Sequence, residues 1–336
     1  MAGRYTLRSR GGVSMIRVFT AFSGYDSQCM ALDRAGIDYE LVGWSEIDKY
    51  AIAAHNAIYP QYAERNWGDI VKINWSQVPD FDLFTYSSPC QDFSAAGLQR
   101  GGERGSGTRS SLLWECERAI RAKHPKYLVF ENVSALVSKK FIRLFNEWQL
   151  LLERMGYTNF TQVLNAKDYG VPQNRERVFM VSIRDCEQPY YFPKPVTLTK
   201  RIKDVLEEKV DEKYYLSDAV IQCFDRHAER HGSKGHGFGW KPTNGNVVAN
   251  AVTTHAGNRP ADNYIEEHNR IRKLTPKECF RLMGVTDSDA DKMITTLNKL
   301  RCYQVAGNSI VVDVLAGIFS QLFIGNTNTQ QQTELY

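Results

Sequence analysis

The sequence predicts an α/β fold in which helices cover both faces of a doubly wound, mostly parallel sheet. From residue 15 to about 184, β-branched and aromatic runs alternate with helix-compatible segments. The alternation stops over residues 185–271, which contain several prolines and the glycine-rich stretch "HGSKGHGFGWKP". It resumes over residues 272–325. We therefore expect one large α/β domain, interrupted by a smaller irregular domain at 185–271.

The first elements form a strand–helix–strand–helix unit. "MIRVFTAFSG" predicts a strand that ends at Gly24, and "SQCMALDRAG" predicts a helix that Gly36 terminates. "YELVGWSEID" predicts a second strand with acidic residues at its carboxyl end, and "KYAIAAHNAIY" a second helix. Two such units in succession indicate parallel pairing of their strands.

The same pattern continues along the chain. Strands are predicted at residues 81–86, in "KYLVFENV" and in "RVFMVSIR", and helices at 112–123 and in "FIRLFNEWQLLLERMG". Further on, "TPKECFRLMG" predicts a helix, and "AGNSIVVDVLAGIFSQLFI" predicts an apolar helix opened by Ser309. Residues 1–14 and 326–336 are interpreted as tails outside the fold.

Composition excludes several classes of protein. The 42 basic and 38 acidic residues give a net charge of +4, which is too small to indicate nucleic-acid binding by itself. The seven cysteines are scattered and form no Cys-x-x-Cys pair, which argues against a disulfide framework or a zinc ribbon and favours a reducing cytosol. No apolar stretch approaches the roughly 20 residues of a membrane span. We expect a soluble cytoplasmic protein.

Polar residues at the carboxyl ends of the first strands predict a cofactor site, since ligands of open α/β sheets bind at that edge. "FSGYDS" supplies a glycine turn, but it lacks the Gly-x-Gly-x-x-Gly pattern of dinucleotide sites. Glu46 can accept hydrogen bonds from ribose hydroxyls, and Asp69, placed at a third strand end, can accept from an exocyclic amine. Together they favour an adenosine cofactor without a pyrophosphate. A plain turn with solvated carboxylates is the alternative.

A cysteine follows the third strand in "TYSSPCQDFSAAG". Pro89 before Cys90 and the polar Gln91 after it favour a nucleophilic thiol over a buried apolar cysteine, although a thiol needs help to ionise at neutral pH. The next loop, "QRGGERGSGTRSS", can close over a ligand and contact phosphates, or be only a solvated loop. Its arginines are Arg100, Arg104 and Arg109.

Glu131 in "VFENV" follows apolar strand residues, so we expect a buried carboxyl that can donate a proton near neutral pH. An ion pair with an arginine is the alternative, which Asn132 at the same strand end disfavours. Arg175 and Arg177 in "VPQNRERVF" alternate along a strand and are expected to face one side. A cation beside the cysteine would stabilise an anionic oxygen and the thiolate.

Five motifs occur in order in this chain: "SPCQDFS", "FENV", "QNRERVF", "RKLTPKECFRLMG" and "AGNSIVVDVL". They resemble those of the DNA cytosine carbon-5 methyltransferase family, of prokaryotic or phage type, over Ile16 to Phe323. The resemblance implies a Rossmann-like, class I S-adenosylmethionine-dependent fold. It also implies a catalytic and cofactor-binding domain at 15–184, a target-recognition domain at 185–271 and a returning catalytic part at 272–325.

The resemblance implies a mechanism. Cys90 attacks carbon 6 of a flipped-out cytosine, Glu131 hydrogen-bonds or protonates ring nitrogen 3, and Arg175 holds the ring oxygen with Arg177 in support. Carbon 5 then takes the methyl group of S-adenosylmethionine, and 5-methylcytosine results. The residues that match the family's cofactor site are Phe22, Gly24, Tyr25, Glu46, Ile47, Asp69, Ile70, Pro89, Leu112, Asn308 and Ser309. Asp26 departs from the family's frequent second glycine, so we expect altered turn geometry with binding retained.

The implied substrate is double-stranded DNA. Contacts are expected from Lys234, His236, Trp240 and Arg259 of the recognition domain, together with Gln91 and the three loop arginines. His227 and His231 have a spacing that could ligate a metal, but a solvated helix face is favoured because no third ligand follows, and no metal is expected. Family membership suggests a monomer in a bacterial or phage-infected cell, with a cognate restriction endonuclease as a further partner. The alternatives are a tRNA cytosine-5 methyltransferase and a non-catalytic DNA-binding relative.

Overall fold

The computed structural model describes residues 15–87, 112–232 and 240–325. The strands are β1 (Ile16–Ala21), β2 (Tyr39–Ser45), β3 (Leu83–Tyr86), β4 (Tyr127–Val133), β5 (Tyr157–Asn165), β6 (Gln173–Asn174), β7 (Glu176–Arg184), β8 (Ala249–Asn250), β9 (Tyr264–Glu267) and β10 (Arg270–Lys273). The helices are α1 (Ser27–Ala35), α2 (Lys49–Ile58), α3 (Leu113–Lys123), α4 (Ile142–Glu153), α5 (Asp218–Gly232), α6 (Pro276–Leu282), α7 (Asp287–Thr296), α8 (Lys299–Asn308) and α9 (Val312–Phe323).

A six-stranded sheet forms the centre of the molecule, with the strand order β2-β1-β3-β4-β7-β5. β1 pairs in parallel with β2 and β3, and β3 pairs in parallel with β4. β7 runs antiparallel to both β4 and β5. The carboxyl ends of β1 to β4 therefore meet at one edge of the sheet, where Phe22, Glu46 and Glu131 lie. This arrangement confirms the predicted α/β, mostly parallel fold.

Helices pack on both faces of the sheet, as a doubly wound fold requires. One face buries apolar residues of α1, α2 and α9, such as Leu32, Ala54 and Ile318. The opposite face buries residues of α3 and α4, such as Ile120 and Trp148. Because the sheet is covered on both sides, its central strands carry nearly continuous apolar runs, which is the pattern of buried parallel strands.

The last helix begins later than the sequence suggests. Ser309 does not open α9; it is the C-cap of α8, and α9 starts after Val311 without a side-chain cap. The extended backbone of Ser309 separates the two helices, and its carbonyl accepts a hydrogen bond from Arg175. Among the described residues, one stretch, Lys299–Phe323, is long and apolar enough to span a bilayer, but 61% of its apolar window is buried inside the protein.

Residues 185–271 are more regular than their composition indicates. They contain α5, whose 15 residues include the helix face expected at His227 and His231, and the strands β8 and β9, which were not predicted. The boundary placed at residue 271 falls inside β10, which pairs antiparallel with β9. β8 pairs in parallel with β6, so this region is joined by strand pairing to the segment that precedes β7. The assignment of these residues to a target-recognition domain stays a prediction.

Candidate active site

The turn between β1 and α1 has an unusual backbone. Phe22, Gly24 and Asp26 adopt the left-handed region with φ values of 55°, 60° and 68°. A left-handed backbone raises the conformational free energy of a residue other than glycine by roughly 1–2 kcal/mol. Residues with such strain are often found at functional sites. A side chain on Gly24 would meet nothing within 4 Å, so the space in front of this turn is open. The turn can therefore admit a ligand close to its backbone.

Glu46 is held against this turn from the end of β2. Its Oε2 accepts a hydrogen bond from the Gly24 N–H at 3.0 Å. Its Oε1 accepts from the backbone N–H groups of Ile47 and Asp48, at 2.8 and 2.9 Å. These three bonds leave one of the four lone-pair positions of a carboxylate for a ligand hydroxyl. The Ile47 side chain is 70% exposed beside it and offers an apolar surface.

Asn66 joins a third segment to this site, and sequence analysis missed it. Its Oδ1 accepts from the N–H groups of Glu46 and Gly68, at 3.2 and 2.9 Å, and its Nδ2 donates to the Glu46 carbonyl at 3.2 Å. Asn66 lies outside the helices and strands predicted from the sequence, so nothing in the sequence indicates this role. Its β-bridge with Trp44 brings it beside β2.

The prediction that Asp69 lies at a strand end is wrong. It is the N-cap of a short 3-10 helix, Ile70–Lys72, and its Oδ1 accepts from the Val71 N–H at 3.1 Å. Ile70 is 3% exposed and packs in the core. Asp69 is therefore oriented by local capping, and the Asn66–Gly68 bond holds the backbone before it close to Glu46.

Tyr25 and Ser309 are predicted cofactor residues that connect the β1–α1 turn to the segment between α8 and α9. The Tyr25 side chain is fully buried with its ring edge against Phe280, at 6.0 Å between centroids. Burial raises the pKa of its hydroxyl, which faces Ser309. Asn308, at the end of α8, is exposed, and Leu112 directly precedes α3. Tyr25 thus packs inside the protein behind the turn, and does not present its side chain to the open space.

Glu131 lies at the carboxyl end of β4 and is 6% exposed. Its Oε1 lies 3.1 Å from Nε of Arg177, and its Oε2 accepts from the Ser87 hydroxyl at 2.6 Å. The ion pair that sequence analysis disfavoured is therefore present. It forms because β4 and β7 are neighbours, with Val133 opposite Arg177 in the register. A buried carboxyl with a cation and a hydroxyl at fixed positions can exchange a proton with a bound base.

Arg175 does not face Glu131, which corrects the prediction that both arginines point to one side. Arg175 precedes β7, and its guanidinium donates to the carbonyls of Val252, Gly307 and Ser309 at 2.9, 2.9 and 2.7 Å. The residue is 4% exposed. The alternation rule fails because Arg175 is outside the β7 ladder, and its N–H bonds instead to Asn165 Oδ1 at 3.1 Å. Arg175 thus contacts the backbone of two distant segments, and Arg177 is the arginine that lies beside Glu131. The part that each arginine takes in the reaction stays a prediction.

Several predicted residues lie outside the described part of the chain. They are Pro89, Cys90, Gln91, Arg100, Arg104, Arg109, Lys234 and His236. The bond between Ser87 and Glu131 nevertheless locates the described end of the β3 segment three residues before Cys90.

Trp240, which is expected to contact DNA, forms a hydrogen bond and ring contacts within the protein. Its Nε1 donates to Asp225 Oδ1 at 2.8 Å, and its ring contacts Phe224 and Tyr264 edge-on, at 5.0 and 4.8 Å between centroids. This aromatic cluster attaches α5 to β9. The Arg259 side chain, by contrast, is exposed. Within the described residues, no group of three or more His, Cys, Asp or Glu side chains could hold a metal ion.

The edge of the sheet fits a nucleoside cofactor. An open left-handed turn, a carboxylate with a remaining lone pair, an exposed apolar side chain and a capped aspartate line it. An open, mostly parallel sheet with such groups at the carboxyl ends of β1, β2 and β4 has the architecture of the class I methyltransferase fold.

The family model described as "C-5 cytosine-specific DNA methylase" matches residues 16–323. The chain therefore belongs to that family, and it is an enzyme that transfers a methyl group to carbon 5 of cytosine in DNA. This result confirms the resemblance drawn from the five motifs.

Two curated relatives are similar over most of their length. The type II methyltransferase M2.ScrFI of Lactococcus lactis subsp. cremoris is 38% identical, over 92% of this chain and 99% of its own. The type II methyltransferase M.NlaX of Neisseria lactamica is 32% identical, over 92% and 96%. The type II names agree with the predicted restriction–modification context. The solved structure of the S. pombe Dnmt2 methyltransferase shares the fold, with a TM-score of 0.72, 21% identity and coverage of 91% and 98%.

Proposed function

We propose that this enzyme methylates one cytosine within a specific sequence of duplex DNA, acting as a monomer in the cytoplasm of a bacterial or phage-infected cell. A cognate restriction endonuclease is its expected partner in that cell. The observation that carries the proposal is the Glu131 carboxyl, fixed by Arg177 and Ser87 at the edge where the Cys90 segment begins.

The chain's own residues account for activation of the base. Cys90 Sγ forms a bond to carbon 6 of cytosine, while Glu131 hydrogen-bonds or protonates nitrogen 3 and draws off the charge that develops on the ring. Arg177, and not Arg175, is assigned to the ring oxygen, because its guanidinium lies beside Glu131. Carbon 5 becomes nucleophilic as a result. Loss of its proton after methylation allows the Cys90 thiolate to leave.

The cofactor site is assigned to the first three βα turns. S-adenosylmethionine, when bound, supplies an electrophilic methyl group. Glu46 would accept from one of its ribose hydroxyls, Ile47 would contact the adenine, and Asp69 would accept from the exocyclic amine. The open Gly24 turn would admit the remainder of the cofactor. The other residues proposed to border this site are Phe22, Tyr25, Ile70, Pro89, Leu112, Asn308 and Ser309, with Tyr25 and Ile70 acting through packing.

DNA contacts are assigned to two segments. The loop with Arg100, Arg104 and Arg109 would close over the flipped nucleotide, whose extrusion costs a few kcal/mol. Gln91 would contact the DNA from the segment that carries the thiol. Lys234, His236 and the exposed Arg259 of residues 185–271 would contact phosphates and base edges. Trp240 is removed from this set because it packs between α5 and β9.

Bisulfite sequencing of plasmid DNA from cells that express the chain tests the proposal. We expect 5-methylcytosine at one recurrent sequence with the parent protein and none with Cys90→Ser or Glu131→Gln. Cys223→Ser is the matched control, because Cys223 is an exposed cysteine on α5, away from the site. Methylated tRNA together with unmodified DNA would support the RNA alternative and contradict the proposal. Methylation by the Cys90→Ser protein would contradict the assigned mechanism.

A further inference from the structure

The two halves of the proposed cofactor site belong to different βα units. The open turn at Gly24 follows β1, and Glu46 follows β2. The hydrogen bond between Gly24 N–H and Glu46 Oε2 at 3.0 Å joins them, and it is only part-buried. A single bond of this kind contributes little net stability, because water competes for both groups. A second, buried connection between the same units lies at Asp26.

Asp26 is a fully buried carboxylate at the end of the cofactor turn. Its Oδ2 accepts from the Thr20 hydroxyl at 3.0 Å, and its Oδ1 accepts from the Cys29 N–H at 3.2 Å. Burying a charge is unfavourable unless a partner and hydrogen bonds compensate it. The basic side chain that faces it is His55, also fully buried, whose Nε2 lies 3.6 Å from Asp26 Oδ2, within ion-pair range, and makes no hydrogen bond among the described residues.

His55 is held firmly in the second βα unit. The ring stacks on Trp44 of β2, with 3.7 Å between centroids and 21° between planes. Its Nδ1 lies within hydrogen-bonding distance of Asn56 Oδ1, at 3.1 Å. Trp44 is itself fixed, because its Nε1 donates to the Tyr62 carbonyl at 2.9 Å. The imidazole position thus depends on the β2–α2 unit, and the carboxylate position depends on the β1–α1 turn.

We propose that Asp26 and His55 form a buried positioning pair that sets the spacing between the Gly24 turn and Glu46, and thereby the affinity of the enzyme for S-adenosylmethionine. The inference rests on the cofactor site proposed above. It explains why an aspartate occupies a left-handed position, φ 68°, that a glycine would adopt without strain. A glycine would keep the backbone but would leave His55 without its carboxylate.

The test measures binding of S-adenosylhomocysteine to the full-length protein by isothermal titration calorimetry. We expect Asp26→Asn and His55→Phe each to weaken binding about tenfold, since the loosened turn must be reordered on binding. Phenylalanine keeps the stacking on Trp44 and removes both nitrogens. The double variant is expected to bind no more than about twofold more weakly than either single variant, because paired residues act as one unit. Asp26→Gly is expected to weaken binding as well.

Steady-state kinetics give a second readout. The KM for S-adenosylmethionine should rise in the Asp26 and His55 variants, with kcat at saturating cofactor and the KM for DNA unchanged. A merely structural role would lower the apparent kcat through loss of folded protein and leave both KM values unchanged. Asp82→Asn is the matched control: Asp82 Oδ2 accepts from the Arg17 N–H at 2.9 Å, at the amino end of β1 and therefore at the edge of the sheet opposite the turn. It should bind S-adenosylhomocysteine within about twofold of the parent.

Glu46→Gln separates failure of this inference from failure of the site. If Glu46→Gln weakens binding but Asp26→Gly and His55→Phe bind like the parent, the positioning pair is refuted and the site stands. If Glu46→Gln also binds like the parent, the proposed cofactor site itself is wrong. If Asp26→Asn does not fold, Thr20→Val can be used instead, because it removes one hydrogen-bond donor to Asp26 Oδ2. We expect it to weaken binding of S-adenosylhomocysteine less than about tenfold.

Discussion

Replacing Arg175 by methionine should destabilise the fold, whereas the same change at Arg177 should remove activity and leave the fold intact. Methionine preserves most of the apolar stem of either side chain and removes the charge. Arg175 donates to three carbonyls at 2.9, 2.9 and 2.7 Å, those of Val252, Gly307 and Ser309. Loss of each hydrogen bond leaves a carbonyl without its donor and lowers the free energy of unfolding by about 1–1.5 kcal/mol. The total is about 3–5 kcal/mol.

The assay pairs urea unfolding, followed by circular dichroism, with methyl transfer to duplex DNA. Arg175→Met should unfold at a clearly lower urea concentration than the parent. Arg177→Met should lose less stability than Arg175→Met, because Arg177 is 20% exposed and Glu131 keeps its bond from Ser87, yet it should lose about a hundredfold in kcat, as when one oxyanion donor is removed. The reasoning is refuted if Arg177→Met remains active while Arg175→Met keeps parental stability and loses catalysis. That outcome would restore the assignment made from the sequence.

Three further results are expected. Ser87→Ala removes the 2.6 Å bond to Glu131 and should lower kcat about tenfold with unchanged affinity for S-adenosylhomocysteine; a fall in affinity would contradict a role confined to the acid. Asn66→Ala removes the bonds that hold the Glu46 backbone and should weaken that affinity about tenfold in calorimetry, whereas Asn74→Ala, at an exposed turn, should not. Burial raises the pKa of the Cys302 thiol to about 11, whereas a thiol in the unfolded chain titrates near about 8.5. The protonated thiol therefore contributes its full share to the stability of the fold below about pH 8.5, and this contribution is lost as the pH rises towards about 11. Cys302→Ala should therefore flatten the fall in unfolding free energy over that range, and a slope equal to the parent's would exclude the thiol as its cause.

Much of the fold could be predicted from the sequence because its signals are local. Gly36, in the left-handed region at φ 67°, terminates α1 where the glycine indicated. Thr275 and Glu278 form the capping box that starts α6, and Pro276 occupies its first turn. The apolar runs of β1 to β4 predicted buried parallel strands, and the sheet order confirms them.

The parts that could not be predicted depend on contacts between distant segments. The two arginines of "QNRERVF" differ in role because the chain enters the β7 ladder only after Arg175. Asn66 matters because residues 66–68 fold back onto the end of β2. Trp240 was assigned to DNA contact from its place in "SKGHGFGW", and its contacts with Asp225 and Tyr264 come from elsewhere in the region. None of these relations appears in the spacing of residues along the chain.

The central claim is that Cys90 forms a covalent bond to the cytosine ring, and a trapping experiment tests it most directly. A duplex with 5-fluorocytosine at the methylated position blocks loss of the group on carbon 5, so the protein–DNA adduct should persist in the presence of S-adenosylmethionine. Mass spectrometry after digestion should locate the nucleotide on the peptide that contains Cys90. Cys90→Ser should give no adduct while the Cys223→Ser control gives the parental amount. An adduct on another residue, or none from a protein that methylates unmodified DNA, would contradict the mechanism.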